Sequence, residues 1–130
     1  MSAQEIEMIL ARHLASYLAM PIFLVGPQGD LVYYNEPAEA ILGSRFEETG
    51  AMPAMEWATA FKPFDEQRQP IAPEQLPLMI ALKQKRPAHS AFWISGMDRV
   101  QRHIEVMAIP LVGQADRFIG ALAMFWEVQP

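Results

Sequence analysis

The 130-residue chain contains no cysteine, which excludes disulfides, thiolate nucleophiles and cysteine-ligated metals together. Positive charge is scarce. Ten Lys and Arg face fifteen Asp and Glu, and the formal charge of −5 provides no long-range field to gather nucleic acid or an anionic membrane. The dense basic cluster Lys83, Gln84, Lys85, Arg86 falls where a helix should end, the place the helix dipole favours for cations. No apolar run reaches the roughly 18 residues of a membrane-spanning helix. Met1 to Glu7 is acidic where a signal peptide would be basic, so a cytoplasmic protein without membrane insertion is expected.

Motifs for catalysis are also missing. The histidines are three, His13, His89 and His103, with no two on one helical turn and no H-E-x-x-H pattern, so no metal site is assigned. None of Ser2, Ser16, Ser44, Ser90 and Ser95 stands in a G-x-S-x-G elbow, and the seven glycines never cluster into a phosphate-cradling loop. The acidic residues fall mainly in turns and helix starts. Glu105 and Glu127 lie in strands, where Glu105 alternates with Ile104 and Val106 and so faces solvent. No catalytic residue follows from the sequence.

What is present is apolar: 52% of residues belong to the AVILMFWYC set and 19% are charged. That composition and length predict one folded domain with a single core. In the stretch Ala3 to Leu18, Ile6, Ile9, Leu10, His13, Leu14, Tyr17 and Leu18 recur at three and four positions, the pattern of an amphipathic helix. Ile22 to Val25 and Leu31 to Tyr34 read as a hairpin across Gly26, Pro27, Gln28, Gly29, Asp30. Asn35 caps a short helix that ends at Gly43. Residues 44–72 read as short helices and turns between prolines. A helix opening at Pro73 and Glu74 places Leu76, Met79 and Ile80 on one face and ends before Pro87. Three strands follow: His89 to Ser95, Arg102 to Val112 and Arg117 to Val128.

The last strand is apolar on both faces, with Phe118, Leu122, Met124 and Trp126 on one and Ile119, Ala121, Ala123 and Phe125 on the other. Such a strand needs cover on both sides. The fold class expected is α+β, a five-stranded antiparallel sheet with short helices on one face and the leading helix or another subunit on the other. Trp57, Phe61, Leu78, Leu82, Phe92, Met107 and Met124 are the candidate lining of a pocket between sheet and helices, or simply core.

The chain resembles a PAS domain over roughly residues 17–128. The hairpin running into Asn35, Glu36, Pro37, Ala38 and Leu42, Gly43 resembles the opening of that family. The run Pro70, Ile71, Ala72, Pro73, Glu74, Gln75, Leu76, Pro77, Leu78 into Ala81, Leu82 resembles its middle. Ile109, Pro110, Leu111 and Gly120, Ala121, Leu122, Phe125 resemble its last two strands. The resemblance implies a non-enzymatic sensory and interaction module of bacterial signalling, which holds small molecules between helices and sheet and dimerises through a preceding helix. It divides the chain into a helix over 1–19 and a sensor unit over 20–130. Ile6, Ile9, Leu10, Leu14 and Tyr17 are then the candidate dimer face, and the partners expected are a second copy, a small apolar ligand, and a separate output protein or the remainder of a longer receptor. The cofactor is left unknown. Without cysteine, the cysteine-dependent flavin and chromophore photochemistry of the family is excluded, and haem is disfavoured, resting on His89 with Met97 or Met107. A ligand-free interaction domain and a small α+β barrel isomerase or hydrolase are the alternatives.

Overall fold

The structure, a computed structural model, describes residues 3–128. Met1, Ser2, Gln129 and Pro130, the outer ends of the two units expected from sequence, lie outside the described residues. The elements follow one another as α1 (Ala3–Tyr17), β1 (Ile22–Val25), β2 (Leu31–Tyr34), α2 (Glu36–Leu42), α3 (Phe46–Thr49), α4 (Ala54–Ala60), α5 (Pro77–Gln84), β3 (Ala88–Ser95), β4 (Gln101–Val112) and β5 (Phe118–Glu127). Single 3-10 turns occupy Pro73–Gln75 and Gln114–Asp116. The strands form one antiparallel sheet in the order β2-β1-β5-β4-β3, so the first and last strands in sequence lie side by side at its centre.

Alternation divides this sheet into two faces. On one, Phe23, Val25, Phe92, Ile94, Ile104, Val106, Ala108, Ala121, Ala123 and Phe125 form the core with residues of α2, α4 and α5. The other face carries Ile22, Leu24, Leu122, Met124, Trp126, Met107 and Glu105, as the pairings Ile22↔Met124, Leu24↔Leu122, Met107↔Met124 and Glu105↔Trp126 require. Ile22 and Leu24 are buried even so, because α1 lies over that side: Ala15 is buried and the Met8 side chain stands above Gly120.

Two expectations need correcting. The helix begins at Pro77 and not at Pro73, with Leu76 extended at φ −70°, ψ 139° between the 3-10 turn and α5. The Pro77 ring disfavours the helical region for the residue before it, which breaks the segment into two. Phe118 also leaves the face of Leu122 and Met124 and packs on the helix-side core, while Ile119 is not part of that core. A register irregularity at Leu111/Val112 shifts the alternation there. Beside it Gly120 adopts φ +145°, and a side chain would collide with the Val25 carbonyl, so only glycine lets β5 approach β1 at this point.

Candidate functional site

Between the sheet and the helices lies a cavity of about 90 Å³. Its sheet side is Phe23, Phe92, Ile94, Ile104, Val106, Ala123 and Phe125, and its helix side is Leu42, Trp57, Ala58, Phe61, Pro63, Leu76, Pro77 and Leu78. Trp57 is fixed from two directions. Its indole N–H donates to the Gly29 carbonyl at 2.7 Å, and Phe23 meets it edge-on at 5.7 Å. No titratable side chain stands in the lining, so the cavity offers dispersion contacts but no acid or base. Apolar cavities that take up benzene measure about 150 Å³ and small-molecule sites roughly 300–1,000 Å³, so this space as it stands is below either.

The second feature is α1. Three attachments along its length set its rotation. Near its start, Glu7 pairs with Arg117 at 2.6 Å and accepts the Gln114 amide. Midway, the Arg12 guanidinium lies 4.9 Å from the Tyr33 ring centroid. At its end, the Asn35 amide group donates to the carbonyls of Ala15 and Met20, at 3.0 and 2.9 Å, and more weakly to that of Leu18. The same Asn35 oxygen accepts the amides of Ile22 and Ala38, so one fully buried side chain joins α1, β1 and α2. Held this way, α1 turns Met8, Ala11 and Ala15 inward and leaves Ile6, Ile9, Leu10, Leu14 and Tyr17 between 45% and 77% exposed. Beside it the outer sheet face continues with Ile109, Leu122, Met124 and Trp126 only half-buried and Met107 exposed.

No protein-family model matches the chain, and no curated protein matches its sequence. Solved structures do match. A PAS domain from Colwellia psychrerythraea superposes with a TM-score of 0.62 at 16% identity, over 94% of this chain and 97% of that one. The PAS domain of BvgS from Bordetella pertussis gives 0.61 at 13% identity, over 95% and 87%. The LOV protein of Rhodobacter sphaeroides gives 0.72 at 17% identity, over 98% of this chain and 69% of that one. The chain has the PAS fold. Within that fold the absence of cysteine removes the residue that a covalent flavin photoadduct requires.

Of the candidate lining residues, Trp57, Phe61, Leu78 and Phe92 meet around the cavity of this PAS fold. Leu82 is buried in the same core without reaching the cavity. Met107 and Met124 are corrections: both lie on the opposite face of the sheet, paired with each other. The alternation that puts Glu105 outward puts Met107 outward too, and it brings Ile104 and Val106 inward as lining residues that were not anticipated. His89 is likewise outside. It sits across from Met107 on the outer face, pairs with Glu105 at 2.8 Å and stacks near Trp126, while Met97 is exposed in the β3–β4 turn. These side chains do not converge on the cavity, and nothing in its lining would ligate a haem iron or meet its propionates.

Proposed function

We propose that this PAS fold serves as a non-enzymatic sensory and interaction module in signalling, a homodimer assembled through α1 and the outer sheet face, in a cytoplasmic setting. The uncovered stripe of Ile6, Ile9, Leu10, Leu14 and Tyr17 carries the reading. Five large apolar side chains on one helix face, flanked by half-buried Met124 and Trp126, form a surface that a second copy of itself would cover in an isologous pairing. Withdrawing each such side chain fully from water contributes about 1.5–3 kcal/mol. In this division of labour residues 1–19 assemble the module and residues 20–130 sense.

The relay runs through Asn35. Its hydrogen bonds tie the end of α1 to the starts of β1 and α2, and α2 supplies Leu42 to the cavity wall. A change of packing around the cavity is therefore communicated to the orientation of α1, and from there to the output protein or receptor the dimer engages. A test needs no ligand: Ala123→Val fills the cavity from the sheet side. Amide exchange along residues 6–17 should change by at least about threefold in that variant; unchanged exchange would reduce the chain to an interaction domain without a sensor.

A further inference from the structure

Outside the cavity, where α4 gives way to the segment before α5, lies a cleft of about 350 Å³ lined by Ala58, Thr59, Lys62, Pro63, Phe64, Pro70 and Ile71. Ala58 and Pro63 line both spaces, so the cleft abuts the cavity at these two residues. The cleft by itself reaches the roughly 300–1,000 Å³ of small-molecule sites, which the cavity does not. The cleft also supplies what the cavity lacks, a charged group. Lys62 is the charged residue in its lining, and among the described residues no carboxylate lies within ion-pair distance of it. The nearby Asp65 carboxylate is turned into its own loop, accepting the amides of Gln67 and Gln69 at 2.9 Å each. The Thr59 hydroxyl is engaged with the Met55 and Glu56 carbonyls, leaving the Lys62 ammonium as the side-chain donor for a bound group. Lys62 holds φ at +48° just past the end of α4, its amide donating to the Thr59 carbonyl.

We propose that cleft and cavity together bind a medium-chain aliphatic carboxylate, its head group against Lys62 and its tail passing Ala58 and Pro63 into the cavity. A single cation matches a monoanion better than a phosphate. The tail is aliphatic because the cavity is smaller than the apolar spaces that accept a benzene ring, whereas a chain one methylene wide fills it with little displacement. This rests on the reading of the fold as a ligand-responsive module and names the ligand class.

The test follows the Trp57 indole N–H resonance of the full chain while octanoate, or the neutral octan-1-ol, is titrated in. Octanoate should shift it, and Lys62→Met, a change at the surface, should weaken octanoate about tenfold while leaving octan-1-ol unaffected. Equal affinities for the two compounds, or an octanoate affinity indifferent to Lys62→Met, would overturn the head-group site and leave a ligand-binding cavity standing. No shift with either compound would overturn the proposal as well, and the exchange experiment on Ala123→Val, free of ligand, reads the relay separately.

Discussion

Asn35 concentrates more of the structure than any other polar residue described: it is fully buried and serves two amides and three carbonyls across α1, β1 and α2. From the sequence its part as the cap of α2 is legible, since Asn before a short helix closed by glycine is a local signature. Its hold on α1 is not, because the carbonyls of Ala15 and Met20 reach it only through the folded chain. Asn35→Ala strands the Ile22 and Ala38 amides in a buried site and should cost about 2–4 kcal/mol of stability in denaturant unfolding. A loss under about 0.5 kcal/mol would show that these bonds are not a joint. Tyr34, its neighbour, is a second buried polar contact: burial raises its phenol above the ordinary value of 10.0, and the hydroxyl donates to the Ser44 carbonyl at 2.8 Å.

Elements whose limits are written in local chemistry match their reading. The hairpin turns at Gly29 in the left-handed region, and α2 ends at Gly43 with φ +76°. The β4 alternation of Ile104, Val106 and Ala108 shows its inner face directly. Residues 44–72 were legible only as short helices and turns, because α3 is held by Phe46 against Tyr33 and Tyr34, α4 by Trp57 and Ala58 in the core, and Phe64 by its bridge to Trp93 of β3. One element junction has an electrostatic signature. In the turn joining β3 to β4, Arg102 binds Asp98 at 2.8 Å and also donates to the Ile41 carbonyl of α2, while the Met97 amide reaches the Leu42 carbonyl. The hydrogen bonds from Arg102 and from the Val100 amide hold the Asp98 carboxyl below its ordinary 3.8. A carboxyl depressed on folding adds stability that is complete above its unfolded pKa and is lost as pH falls through the folded one. Thermal melts of Asp98→Asn should therefore decline less steeply than wild type between about pH 4 and pH 2, and parallel curves would contradict the clamp.

At the scale of the whole molecule, a sheet with two apolar faces meets two different fates. The inner face is closed by α2, α4 and α5 around a cavity, whereas the outer is covered by α1 over β2, β1 and the near part of β5, leaving Met107 and Trp126 accessible. The need for cover was readable in the apolar run from Phe118 to Trp126; how far α1 supplies it was not, because that depends on the rotation set by Glu7, Arg12 and Asn35. The stripe those contacts turn outward is the basis of the proposed homodimer. Sedimentation equilibrium tests this most directly. The chain at micromolar concentrations should sediment with twice its 14.7 kDa mass, and the double variant Leu10→Glu, Leu14→Glu should sediment as a monomer with its far-ultraviolet circular dichroism unchanged, since both side chains are exposed on the single chain. A wild-type chain that remains 14.7 kDa up to high micromolar concentration would contradict the homodimer.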